Sequence, residues 1–308
     1  MIVCGKEIKV KGRLVRIARL DAEKYHFVQD PEPVLAALRK SGARIDLFTF
    51  MQKLPDTSPK YAYPMEWDNF AAIPITTFED WWNERIGFKA RNKAKQAGKH
   101  GVVLKEVPFD ETLVRGMWEI YNETPIRQGK RFPHYGMSLE RMHEYAGTYL
   151  EDSVFIAAFL SERLIGFVKL TMDETRTQAG LMQIVSLVSE RDKAPTNALV
   201  AEAVRSCAKR HIAFLVYSNF AYGNKQHDSL SDFKERSGFE RMNVPRYFVP
   251  LTPLGKIALR LRLHHRLVDL LPESLMSKVR DLRTNWYSRQ VVPDTAIHNK
   301  SVRGSEAS

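Results

Sequence analysis

Residues 154–160 (VFIAAFL), 164–172 (LIGFVKLTM) and 179–189 (AGLMQIVSLVS) are apolar runs of strand length, separated by Ser161-Glu162-Arg163 and by the polar turn 173–177. Connections this short join antiparallel neighbours, so the runs predict a meander. The last run feeds a helix over 195–209, where Pro195 suits the first turn and Leu199, Ala203, Val204 and Cys207 form a buried stripe. A short apolar strand follows at 212–217. Strand, crossover helix and strand within one sheet pair in parallel. A mixed sheet is therefore expected to splay between 179–189 and 212–217, and the parted strand ends make a ligand crevice.

Working outward, 102–107 reads as a strand and 111–122 as a helix with Leu113, Met117 and Ile120 at helical spacing. A second helix is expected over 138–150 with Ser138 as its N-cap, and the polar segment 124–136 lies between the helices. Downstream, 230–237 reads as a helix ending at Gly238, and 239–251 supplies closing β structure. The first 99 residues mix an alternating run at 14–20, a helical run at 31–39 and an apolar strand at 45–50. A loop rich in Pro, Ser and Lys follows at 53–64, and Thr76-Thr77-Phe78-Glu79 opens a helix expected to run through Trp81 and Trp82 to about 96. Lys89, Arg91, Lys93 and Lys95 on that helix are either a solvated face or an anion-binding stripe. The expected division is an α/β region at 1–99, a main domain at 100–251, a basic helical extension at 252–290 and a disordered tail at 291–308.

A chain of 308 residues with 44% hydrophobic residues can fill a sizeable core. Its apolar runs fall short of the roughly 18 residues that span a bilayer, and the basic, interrupted start lacks the apolar stretch of a secretory signal. A cytoplasmic protein is expected. Cys4 and Cys207 stand far apart without metal-ligand neighbours, so neither a disulfide framework nor a structural zinc is indicated, and no metal is expected. The net charge of +11 would attract nucleic acid, anionic lipid or a phosphorylated substrate, although no zinc-finger, RNP-type or helix-turn-helix signature is present.

The element order resembles the GNAT N-acyltransferase fold, and shorter blocks narrow the likeness to its Fem-type (FemAB-like) branch. These blocks are Arg91 to Gly98 with Gly101-Val102, Ile120-Tyr121-Asn122 followed by Arg127 to Phe132 and His134-Tyr135-Gly136, and Phe233-Lys234 with Gly238-Phe239. The resemblance spans 78–251 and implies an α/β (α+β) fold: a mixed, mostly antiparallel GNAT-like sheet with flanking helices, preceded by a reduced N-terminal copy. It implies N-acyl transfer from an acyl thioester, with acyl-coenzyme A as co-substrate, to the amine of an amino sugar or envelope-polysaccharide precursor. Aminoacyl transfer from charged tRNA and non-catalytic binding of an anionic ligand are the alternatives. The coenzyme A loop of such enzymes, Q/R-x-x-G-x-G/A, falls on Arg191-Asp192-Lys193-Ala194-Pro195-Thr196-Asn197, where both glycines are missing.

The chemistry needs a neutral amine, a cradle for the oxyanion and a proton donor for the leaving group. The crowded loop 127–136 supplies Arg127 and Arg131 as acceptor-binding groups and His134 or Tyr135 as a proton acceptor, unless it is only a solvated surface loop. Gln183, on the third strand, faces the crevice or finds a core partner. Lys169, inside an apolar strand, is an exposed-face residue or an acceptor-binding, charge-stabilising one. Donor contacts are expected from Arg191, Lys193, Thr196, Asn197, Asn219 and Lys234, the last of these otherwise being surface charge. Tyr222 resembles, by location, the tyrosine that protonates the leaving group. Basic amphipathic helices beyond 251 either lie on an anionic membrane surface or pack on the main domain.

Overall fold

The computed structural model describes residues 1–21, 23, 25–220 and 229–265. The chain begins with strands β1 (Ile2–Val3), β2 (Lys6–Lys11) and β3 (Ile17–Leu20), then helix α1 (Pro31–Lys40) and strands β4 (Leu47–Met51) and β5 (Met65–Pro74). Helices α2 (Phe78–Asp80) and α3 (Phe88–Lys99) flank a π-helical turn, Trp81–Arg85. Then follow β6 (Val103–Val107), α4 (Glu111–Asn122), the paired segments β7 (Ile126–Arg127) and β8 (Lys130–Arg131), and α5 (Leu139–Ala146). The meander β9 (Ser153–Leu160), β10 (Arg163–Met172) and β11 (Gln178–Ser186) precedes α6 (Pro195–Lys209) and β12 (Phe214–Val216). Helix α7 (Ser229–Arg236), strand β13 (Glu240–Pro250) and helix α8 (Pro253–Arg260) complete the described order.

Eleven strands form one sheet in the order β1-β2-β3-β4-β13-β5-β12-β11-β10-β9-β6. Its pairings are antiparallel except β3 with β4 and β11 with β12. Both exceptions are strand, crossover helix, strand units, one through α1 and one through α6, so the same local arrangement occurs in each half of the chain. The halves interleave, because β13 is seated between β4 and β5 and β5 borders β12. β5 escaped the sequence reading: Glu66, Asp68 and Asn69 break the apolar alternation of its first half, and only 70–73 are buried.

Helices cover both faces of the meander. Phe167 of β10 stacks on Tyr121 of α4 at 6.1 Å, while a Cβ at the adjacent Gly166 would lie 3.2 Å from Leu199 Cδ1 of α6. Burial on both faces explains why β10 reads as a continuous apolar run rather than an alternating one. The local signals place the flanking helices: Asp110 caps α4 by accepting from Leu113 N–H at 2.8 Å, and Ser138 caps α5 by accepting from Arg141 N–H at 3.2 Å. Helix α5 stops at Gly147, earlier than its pattern suggests. The helix expected over 76–96 is interrupted at Ile86-Gly87, where Ile86 is extended and Gly87 N–H bonds to Arg236 O at 2.9 Å. Trp81 Nε1 donates to Ser237 O at 3.2 Å, so contacts with α7 and its exit override the local helical preference.

Candidate active site

Strands β11 and β12 pair over only Gln178↔Phe214, Ala179↔Leu215 and Gly180↔Val216. Past that point each follows a different neighbour. Tyr217 N–H bonds to Ala71 O at 2.7 Å, Ser218 O accepts from Ala71 N–H at 2.9 Å, and Ser218 turns the chain through φ +52°. β11 instead stays with β10 as far as Ser186↔Gly166. The register on β10 jumps from Lys169↔Gln183 to Leu170↔Leu181, which leaves Met182 as an extra residue. Such a bulge bends and twists its strand, and this one sits where the strands part. The opening is a cavity of about 200 Å³ bordered by 180–182 and 216–218, with Tyr25 lying over Gly180. A Cβ at Gly180 would stand 2.0 Å from Tyr25 Cε1, so glycine is what admits the ring. The splayed crevice expected from the sequence is present.

Gln183 follows the bulge on the same face as Lys169, toward α4 and α5. It is 6% exposed, and its Oε1 is buried with no hydrogen-bond partner among the described residues. The phenol of Tyr145, from α5, has Gln183 and Tyr121 beside it. Burial raises the pKa of Tyr145 above the usual tyrosine range, against the opposing pull of those two side chains, so the phenol stays protonated at neutral pH. His134 lies within the same ring cluster, 5.1 Å from Tyr145, 5.5 Å from Tyr121 and 5.5 Å from Phe132 between ring centroids. Burial lowers its pKa, which keeps the imidazole neutral and able to take a proton. Tyr135 and Arg131, in contrast, are exposed at the rim.

Arg127 is engaged mainly with the chain itself, although its Nε is buried without a partner among the described residues. Its Nη1 donates to Ser186 O at 2.7 Å, its Nη2 reaches Ile120 O and Glu123, and its guanidinium lies 4.7 Å from the Phe132 ring centroid. Glu123 accepts from the N–H groups of Val188 (2.6 Å) and Ser189 (2.9 Å) and from the Ser189 hydroxyl (2.8 Å). Burial would raise the Glu123 pKa, but these donors and Arg127 hold it below the usual carboxylate range. The pair thus ties the acceptor-side loop to the end of β11. Neither link was legible beforehand, because 123 and 188 are distant in sequence.

Lys169 also departs from expectation. It is 0% exposed; its Nζ donates to Ala146 O at 2.8 Å and to Thr148 O, closing the end of α5, and it sits 5.4 Å from the Phe155 ring centroid. Burial pushes its pKa down to about 8.

On the donor side, Thr196 shares a hydrogen bond with Ser186 at 2.9 Å, and Lys193 pairs with Glu190 at 2.7 Å. Lys193 N–H bonds to Glu190 O, Ala194 N–H to Arg191 O and Asn197 N–H to Ala194 O, while Pro195 has no N–H. Ala194 adopts φ +52°, the conformation a glycine of the coenzyme A loop would take without strain. Arg191 is exposed at this turn, and α3 lies against both the turn and α6 with Lys89, Lys93, Lys95 and Lys99 exposed.

Asn219 Nδ2 donates to Asp68 at 2.7 Å. Lys234, 0% exposed, donates to Asn219 O and lies 4.9 Å from the Tyr217 ring centroid. It is neither surface charge nor an open phosphate ligand; it holds the strand that leaves the gap. Tyr222 lies outside the described residues. The structure therefore gathers His134 and Gln183 with Tyr121 and Tyr145, and sets Tyr25 over the cavity at Gly180; sequence reasoning had assigned none of these three tyrosines. Tyr121 was visible in a short block, whereas nothing local marks Tyr25 or Tyr145.

Among solved structures, L-PGS from Bacillus licheniformis is similar at a TM-score of 0.53 and 12% identity, covering 84% of this chain and 86% of that one. The C-terminal domain of a candidate lysylphosphatidylglycerol synthetase from Agrobacterium fabrum is similar at 0.51 and 13% identity, over 82% and 83% of the chains. The mixed, mostly antiparallel sheet with flanking helices is the fold this chain shares with both. FemX itself is similar at a TM-score of 0.46 and 12% identity, over 75% and 72% of the chains. No family profile and no curated protein matches the sequence. Gln183 follows directly on the bulge at which β11 leaves β12. No helix among the described residues is long and apolar enough to cross a membrane.

Proposed function

We propose that the protein is an N-acyltransferase that presents an activated acyl group in the gap between β11 and β12 to an amine arriving from the α4/α5 face. The observation that carries the reading is the buried, unpartnered Gln183 Oε1 beside a sheet that parts at a bulge. Leaving a buried acceptor without a donor costs about 1–3 kcal/mol, and a ligand N–H would recover it. Beyond Gly180, alternate N–H and C=O groups of β11 face the gap rather than a paired strand, which suits an extended donor arm that carries amides. Neutral His134 accepts the proton as the amine nitrogen bonds to the carbonyl carbon; the carbonyl–sulfur bond then breaks, and the thiolate takes that proton from the His134 imidazolium. Tyr145 is a positioning residue that holds the Gln183 carboxamide. The acceptor in this reading is an amino sugar or similar envelope precursor, and the site is cytoplasmic.

A second reading concerns the carrier, and the donor-side loop favours it. With the N–H groups of Lys193, Ala194 and Asn197 already bonded and Pro195 lacking one, the loop offers little to a coenzyme A diphosphate. The exposed lysines of α3 beside Arg191 suit a polyanion, and the carrier in this reading is a charged tRNA. Turnover assays with a panel of acyl thioesters and aminoacyl-tRNAs, using a mixture of primary amines as acceptors, separate the readings. Activity with tRNA that falls steeply with salt supports the polyanion; activity with thioesters alone supports the first. Binding without turnover in both panels removes the enzyme assignment.

Peripheral contact with an anionic surface belongs to the same proposal, supported by α8 and its exit, where Leu254, Ile257 and Leu261 are exposed beside Lys256 and Arg260.

A further inference from the structure

Away from the gap, the first half of β5 carries Glu66, and the turn after α8 brings two consecutive histidines onto it. Consecutive side chains in a strand point to opposite faces. Here Leu263 N–H bonds back to Ala258 O at 2.8 Å, Arg262 takes φ +55°, and His265 N–H bonds to Arg262 O at 3.2 Å. The tight turn puts both imidazoles on one side, with ring centroids 4.2 Å apart. The His264 ring packs 4.5 Å from Phe248, its side chain only 2% exposed, while His265 and Glu66 open to solvent at 28% and 39%.

Both Nε2 atoms lie 3.0 Å from the same carboxylate oxygen, Glu66 Oε1. A tetrahedral zinc bound at about 2.0–2.1 Å separates neighbouring ligand atoms by about 3.3 Å, so the two imidazole–carboxylate edges are within a few tenths of an ångström of a coordination geometry. One ligand atom from each of the three residues falls within a 4.8 Å cluster. Two imidazoles and a carboxylate form a borderline donor set that selects zinc and its transition-metal neighbours over magnesium or calcium. His264 Nδ1 is buried without a partner among the described residues, so none of them fixes the tautomer against metallation at Nε2.

We infer that Glu66, His264 and His265 form a binding site for a borderline divalent transition ion, which clasps the exit of α8 to β5 and leaves a coordination position facing solvent. The two-cysteine argument that excluded metal from the sequence does not reach this site, because its donors are nitrogen and oxygen. With no acceptor among the described residues orienting His264 Nδ1, affinity in the micromolar range is expected, about 1–10 μM.

The test is a competition titration of zinc between a chromophoric chelator and chelator-stripped full-length protein, with Glu66→Gln, His265→Gln and, as a control at an exposed histidine elsewhere, His100→Gln. The expected result is one equivalent bound tighter than about 100 μM, weakened by about tenfold or more in Glu66→Gln and His265→Gln and unchanged in His100→Gln. Zinc bound no tighter than that limit overturns the inference, as does a loss smaller than tenfold in both site variants. Should either variant fold poorly, zinc-edge anomalous density from the unmodified protein decides, with a peak between the three residues supporting the site and a peak only elsewhere overturning it.

Discussion

Replacing Gln183 with methionine should stabilise the fold and impair transfer. The side chain is 6% exposed and its Oε1 has no donor among the described residues, so the native state bears a desolvated acceptor of about 1–3 kcal/mol. Methionine fills a similar volume without a polar group to satisfy. The substitution also removes the polar contact of Gln183 with the Tyr145 phenol, a loss of about 1 kcal/mol. The balance is a net gain of about 1 kcal/mol, or roughly 2 °C in Tm for a chain of this size. Urea unfolding with an unchanged m-value measures the first half of the prediction. The second half is a fall in kcat/KM of about 10- to 100-fold, from losing one hydrogen bond to the incoming amine. A variant that loses more than about 1 kcal/mol of stability would show that Oε1 already has a partner, and full activity would show that no substrate N–H meets it.

Gly180→Ala should displace Tyr25, since the added carbon would lie 2.0 Å from Tyr25 Cε1; the expected loss is about 1–3 kcal/mol, and combining it with Tyr25→Ala in a double-mutant cycle should recover much of it. Because the folded pKa of Lys169 is about 8 against an ordinary 10.5, the unfolded chain binds more protons between those values. Stability should therefore rise by up to roughly 3 kcal/mol as pH increases through this window, an increment that urea midpoints should show missing from Lys169→Met. Glu123→Gln removes the charge that gathers Val188 and Ser189, and faster amide hydrogen exchange at 188–189 with little change in the core strands is the expected outcome. Loss of exchange protection throughout the sheet would instead mark Glu123 as a global determinant.

The meander, the crossover helix and the parallel strand were legible because each rests on local physics: apolar runs of strand length, short polar turns, a proline in a first turn and a 3.6-residue stripe. Those elements alone forced a mixed sheet to part at β11. Other roles depended on partners far along the chain. Arg127 reads locally as a free anion grip, yet Ser186 O claims it; Lys169 and Lys234 read as exposed or ligand-binding charges, yet each caps buried carbonyl groups. A backbone acceptor brought near by folding competes with any ligand, and its position is invisible to sequence spacing.

The pairing directions within the meander and of β11 with β12, and with them the location of the gap, were thus written in the sequence, since periodicity and connection length determine pairing direction. The seating of β5 between β13 and β12, the placement of Tyr25 over Gly180, and the convergence of Glu66 with His264 and His265 were decided only by the tertiary structure. Each joins segments well over a hundred residues apart, where burial and hydrogen-bond satisfaction across the whole sheet, rather than any local preference, select the arrangement.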